Sequence, residues 1–258
     1  MNKKSITFIA FSFIIIGATF AQKNKDSQAP VQAQSQPDNY SLKEKVFKES
    51  LKYGDLLVAK QALFEMIALK PENKALKDSL AYIYINLGSL QQAILLTREI
   101  LEANPENLGI LEVKAVAEQN LGLSKESLTS YESLYGKSKN VYHLYQIATL
   151  QYDLKRMAEC NSSIDQILVS PEVDKKELNI GTGVRGQQQR VILKAAALNI
   201  KGVLAMDLNE NTVAKVCFEE AIKLTPDFVL AKNNLDFLTK KNQPAKTESP
   251  KQPTNSKK

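Results

Sequence analysis

The sequence is short of the residues from which most metal and redox centres are built. It contains one histidine, His143, two cysteines, Cys160 and Cys217, and no tryptophan. A single histidine with no local His/Cys cluster excludes a four-ligand zinc site of the usual kind, so no metal ligand is assigned. The same histidine has no nucleophile or carboxylate at a suggestive spacing, so it reads as a surface or packing residue. No catalytic residue and no cofactor is assigned, and the expectation is that the protein is not an enzyme. The two cysteines, 57 residues apart, could pair in an oxidising compartment. Each stands at a packing position of its own predicted helix, which favours two buried thiols.

Charge of one sign is lacking where it would matter. The formal net charge is +6, but Lys3 and Lys4 supply +2 and the tail from Thr239 to Lys258 supplies +5, which leaves the rest at −1. A near-neutral body does not call for a nucleic-acid partner.

A long apolar run is lacking too. Ile6 to Phe20 is mostly apolar, yet fifteen residues fall short of the roughly 20 that a helix needs to span hydrocarbon. Preceded by Lys3 and Lys4 and followed by Thr19-Phe-Ala21 before Gln22, the run has the layout of a secretory signal peptide over residues 1–21. No cysteine lies near that cut. The expectation is an exported protein, periplasmic or otherwise outside the cytoplasm, with no stable membrane insertion after cleavage. Residues 22–39 and 239–258 are polar, contain prolines and show no apolar period, and read as a disordered tether and a disordered basic tail.

One string suggests chemistry. Gly181-Thr-Gly-Val-Arg-Gly186 spells G-x-G-x-x-G, the pattern of dinucleotide-binding loops. Such a loop needs a buried strand before it and a phosphate-facing helix after it. The preceding "DKKELNI" is too charged and short for a central parallel strand, so nucleotide binding is rejected. The glycines read as turn formers at positive φ in an insert over residues 171–190, with Leu178, Ile180 and Val184 able to fold part of it back.

What the sequence does have is repetition. Gly54, Gly88 and Gly122 are spaced by 34 residues, as are Ala59, Ala93 and Ser127, and Pro71 and Pro105. Within one period Leu80, Ala81, Tyr84 and Leu87 recur at helical spacing, Gly88 breaks the pattern, and Ala93, Ile94, Thr97, Ile100 and Leu101 resume it before Pro105. Each period therefore predicts a helix, a turn and a helix. Phe228, Leu230 or Ala231, Leu235 and Leu238 predict a further helix with one apolar side.

The pattern Leu80-Ala81-x-x-Tyr84 with Ala93 and Pro105 resembles the tetratricopeptide repeat, as does Gly202-x-x-Ala205 with Ala214-x-x-x-Phe218 and Pro226. Ala59-x-x-x-Leu63 with Pro71, Ser127-x-x-x-Tyr131, and Ile147-Ala148 with Cys160-x-x-x-Ile164 and Pro171 extend it to five periods over residues 40–238. Tryptophan is missing, the third repeat lacks its proline, and Lys114 and Lys201 stand where the first helix usually offers leucine. The resemblance implies an all-α superhelix of about five helical hairpins plus a capping helix. It also implies a non-enzymatic scaffold that binds a protein or peptide in a concave groove lined by first helices. On that register the groove candidates are Asp78, Tyr82, Asn86, Gln119, Asn120, Tyr142, Tyr145, Tyr152 and Asn199. Amides can pair with a peptide backbone, and tyrosines give contact area at low entropic cost. The lysine-rich clamp of chaperone-binding relatives is not apparent. An alternative is a permanent structural subunit of an envelope complex.

Overall fold

The structure, a computed structural model, describes residues 39–241. From Tyr40 onward they form one compact unit. Helices α1 (Asn39–Lys52) and α2 (Leu56–Leu69) form the first hairpin, α3 (Lys74–Asn86) and α4 (Leu90–Ala103) the second, and α5 (Leu108–Asn120) and α6 (Ser124–Ser138) the third. The fourth is α7 (Val141–Asp153) with α8 (Met157–Leu168). Strands β1 (Glu177–Gly181) and β2 (Gln188–Ile192) follow, then α9 (Leu193–Asp207), α10 (Asn211–Leu224) and α11 (Val229–Lys241). This is an all-α solenoid of five hairpins and a capping helix, interrupted by one β-hairpin. The helices that periodicity predicts are present, and α11 extends three residues past Leu238. Signal peptide, most of the tether and most of the basic tail lie outside the described residues.

The turn inside each helical hairpin is fixed by one residue in the left-handed region. Gly54, Gly88 and Gly122 have φ of 71°, 68° and 75°. Around Gly88 the chain closes with Gly88 N–H to Ile85 C=O (3.1 Å) and Ser89 N–H to Tyr84 C=O (2.9 Å), which satisfies carbonyls at the end of α3. The last two repeats make the same turn with Lys155 (φ 60°) and Asn209 (φ 61°), so the glycine period fades in the sequence while the geometry persists. Between hairpins, Asn107 and Asn140 cap the following helices through their side chains, accepting from Ile110 N–H (3.2 Å) and Tyr142 N–H (3.1 Å). Lys139, in place of the third repeat's missing proline, ends α6 with φ 52°.

Small residues let helices approach closely. Ala59, Ala93, Ser127, Cys160 and Ala214 are all fully buried. Ser127 adds a hydrogen bond to the Ala115 carbonyl (2.9 Å), so its hydroxyl is satisfied inside the stack. Gly202 is packed so tightly that a Cβ there would lie 2.5 Å from the Phe218 ring. Cys160 and Cys217 are free and buried, and burial pushes the Cys160 thiol up to about 11.

The lysines at leucine positions are resolved by ion pairing. Lys114 Nζ sits 2.8 Å from buried Glu118, whose other oxygen accepts from Ser130 Oγ at 2.7 Å. Lys201 Nζ reaches Asp165 at 2.7 Å. Both stems pack while the ammonium finds a carboxylate.

The insert departs from the expected loop. Leu178 and Val191 face each other across an antiparallel ladder and are buried, and Ile180 packs beside them on the main core. Alternation of apolar and polar residues drives formation of two short edge strands here, in place of a central parallel strand. Gly183 (φ 85°) and Gly186 (φ 78°) sit in the loop joining the strands, whereas Val184 is exposed there and does not fold back. The insert also runs on to Ile192, where β2 passes directly into α9.

Candidate functional site

The groove candidates fall into five places. On α3, Asp78 accepts from the Asn107 side chain (2.9 Å), and the Tyr82 hydroxyl lies over Gly109, where a Cβ would come within 2.5 Å of it. Glycine at 109 therefore makes room for Tyr82. Burial, then Glu112 and Asp78, push the Tyr82 phenol upward. Asn86 turns back on its own helix, donating to the Tyr82 carbonyl (2.7 Å).

The second place is the α5–α7 step. Gln119 accepts from Tyr131 Oη (3.4 Å) and donates to Gln146 Oε1 (3.3 Å), while Asn120 is exposed beside it. Third, Tyr142 and Tyr145 on α7, with Asn140, Gln146 and Lys176, face strand β1 across a cleft of about 460 Å³. Burial raises both phenols; Tyr145 reaches about 12, and Glu112 adds to the rise at Tyr142. Both are neutral hydrogen-bonding groups at physiological pH.

The last two candidates depart from the expected lining. Tyr152 donates to Asp207 (2.6 Å) and so ties α7 to α9; burial, followed by that carboxylate, raises its pKa to about 12. Asn199 is buried and accepts from Asn234 of α11 (2.9 Å). The helix that caps the array covers it.

Sequence reasoning missed a polar cluster at the α6–α7 junction. His143 is buried, with Nδ1 2.8 Å from Ser138 Oγ and Nε2 3.6 Å from Glu112. The His143 ring beside it holds the Glu112 carboxyl below its ordinary range. Serine, histidine and carboxylate thus meet, although Glu112 is remote in sequence. Ser138 Oγ also accepts from Asn140 N–H (3.2 Å), so the serine is engaged in the turn that starts α7. Tyr131 and Tyr142 flank the imidazole at 6.3 and 5.7 Å. The arrangement holds Tyr142 at the mouth of the cleft.

Asn140, Gln146, Lys176 and Asn179 were also missed. Only the insert's position hinted at the last two. Gln146 sits one helical turn after Tyr142, a signal available in the sequence, whereas Asn140 is the N-cap two residues before it.

The Tetratricopeptide repeat family matches residues 78–107 and 195–228. Both matched stretches are tetratricopeptide repeats. The repeat protein is similar in fold to a tetratricopeptide repeat protein from Parabacteroides merdae ATCC 43184, with 23% identity and a TM-score of 0.63 over 79% of this chain and 74% of that one. MamA from Desulfovibrio magneticus RS-1 aligns at 14% identity and a TM-score of 0.58, over 73% and 96% of the two chains. YrrB, described as a TPR protein with an unusual peptide-binding site, aligns at 14% identity and 0.57, over 72% and 87%. No curated protein matches the sequence. Among the described residues no helix is long and apolar enough to cross a membrane.

Proposed function

We propose that this repeat protein is a non-enzymatic scaffold of the cell envelope that binds a protein or peptide along the groove face of its first helices. The observation that carries this reading is the cleft between α7 and β1. It joins tyrosine hydroxyls, carboxamides and a strand backbone in about 460 Å³, within the range of ligand sites of about 300–1,000 Å³. Tyr82 and the Gln119–Gln146 pair extend the same chemistry along neighbouring first helices. The fold likeness to YrrB supports a peptide as ligand.

A second reading, a permanent subunit of an envelope complex, is favoured by a different surface. Leu42 and Val46 on α1 and Leu57, Val58 and Phe64 on α2 are exposed. Apolar side chains gathered there suit a lasting interface. Pulldown from crosslinked cells separates the two readings. Exchangeable clients support the scaffold, and one stoichiometric partner that resists salt supports the subunit. Intact mass of the native protein tests the envelope location: a mature chain starting near Gln22 is expected, and a full-length species retaining Met1 to Ala21 contradicts it.

A further inference from the structure

The two edges of the β-hairpin are treated differently. Leu193 N–H donates to Lys176 C=O (2.8 Å) and Thr182 N–H to Gln187 C=O (3.1 Å), at either end of the ladder. In an antiparallel pair the hydrogen-bonded residues alternate. With Leu178 opposite Val191 and Ile180 opposite Gln189, those residues point their backbone groups inward. Glu177, Asn179 and Gly181 therefore point N–H and C=O away from β2. On the other strand Ile192 N–H donates to Thr225 Oγ1 (3.4 Å), and the Gln189 side chain bridges Asp227 C=O (3.0 Å) and Val229 N–H (2.8 Å). The α10–α11 connection thus meets the outer edge of β2 at its Ile192 end.

The edge of β1 instead borders the cleft, whose lining takes Lys176 through Ile180 from this hairpin and nothing from β2. Resting on the reading of the cleft as a peptide site, we propose that its ligand is an extended, neutral peptide segment that adds to β1 as a third strand. An exposed strand edge is a template for another chain, and strand addition obtains affinity from main-chain bonds and selectivity from alternate side chains. The outward groups of Glu177, Asn179 and Gly181 set a ligand of about five residues, proline-free at the paired positions. One side of that strand meets Tyr142, Tyr145 and Gln146, which suit apolar or amide side chains. The charges at the cleft are already matched. Lys176 Nζ is 2.8 Å from both Asn140 Oδ1 and Glu172, and Glu177 is 3.4 Å from Arg190. A charged ligand side chain would have to compete with these pairs, so the ligand is neutral.

The test pans a phage-displayed random heptapeptide library on the full chain and titrates the tightest synthetic peptide by calorimetry. Strand addition predicts that Asn179→Pro, which deletes an outward N–H, weakens that peptide at least about tenfold, whereas Asn179→Ala changes it less than about twofold. Bound peptide slows amide exchange at Glu177, Asn179 and Gly181, while Leu178 and Ile180 are already slow without it. Should Asn179→Pro unfold the hairpin, N-methylation of the peptide residue by residue decides instead: binding is lost at every second position and spared between. Binding that ignores Asn179→Pro and the methylation register but is lost in Tyr82→Ala overturns strand addition and leaves the groove reading standing. Failure to select any neutral peptide, or binding indifferent to all these changes, overturns both.

Discussion

Residues 78–107 and 195–228 carry the family's sequence signal; residues 108–194, between them, fold into the same helical hairpins without it. The difference lies in the core. In the second repeat Leu80 is buried and Tyr84 packs near it, whereas 34 residues later the same positions hold Lys114 and Glu118. Glu118 is 1% exposed, and the next repeat has Gln151, also buried, accepting from Ser163 (2.8 Å). A solenoid tolerates such polar seams when every group finds a partner. The region that departs most from the family also contains the cleft, the His143 cluster and the β-hairpin, so the weak repeat signal coincides with the candidate binding site.

The largest expected effect comes from breaking the polar seam. Glu118→Ala leaves Lys114 without its carboxylate and is expected to cost about 3 kcal/mol or more in denaturant unfolding. Replacing the triad by Lys114→Leu, Glu118→Leu and Ser130→Ala together is expected to be near neutral, because apolar side chains then fill the positions held by Leu80, Tyr84 and Leu96 in the second repeat. A triple variant as unstable as the single one would mean that the polar seam is needed for folding in its own right.

Next come the tight contacts of the matched stretches. Gly202→Ala forces a Cβ against three atoms of the buried Phe218 ring, and Ala93→Leu overfills a fully buried slot; each is expected to lose about 1–3 kcal/mol. Wild-type stability in either would show that the repeat register is wrong.

Alkaline pH sharpens the contrast further. Tyr145 and Tyr152 keep their protons to about 12 in the native state, against about 10 for an unfolded tyrosine. Above pH 10 the native state thus binds more protons than the unfolded one, so stability present below pH 10 is lost as pH rises toward 12. Urea midpoints measured from pH 9 to 12 should fall, and Tyr145→Phe should flatten the slope. The smallest effect is at the turns. Gly88→Ala, with φ of 68° and no steric neighbour, should cost about 1 kcal/mol, while Lys155→Gly should gain a few tenths, on the order of the left-handed penalty it removes.

The helical architecture was legible because glycine, alanine and proline recur where turns and close packing demand them. The hairpin was hidden because its strands are five residues each and its glycines drew attention to a phosphate loop instead. Tyr82, Tyr142 and Tyr145, which the structure places beside the candidate cleft or on the helices leading to it, were named from the register that the tetratricopeptide resemblance sets on their helices. Asn199 and Tyr152 were not placed correctly, since their surroundings depend on α11 and on Asp207, partners that periodicity along a single helix does not specify. Glu112, remote from His143 in sequence, could be joined to it only by the stacking of successive repeats.

On the proposed function, partners bind at the α7–β1 cleft and along the adjoining first helices. The most direct measurement is photocrosslinking in the native cell with p-benzoylphenylalanine in place of Tyr82, Tyr142 or Leu57, one at a time. Adducts to a partner protein are expected from positions 82 and 142, with little from position 57 on the exposed side of α2. Adducts from position 57 alone would contradict the groove account and point to the apolar α1–α2 surface as the contact.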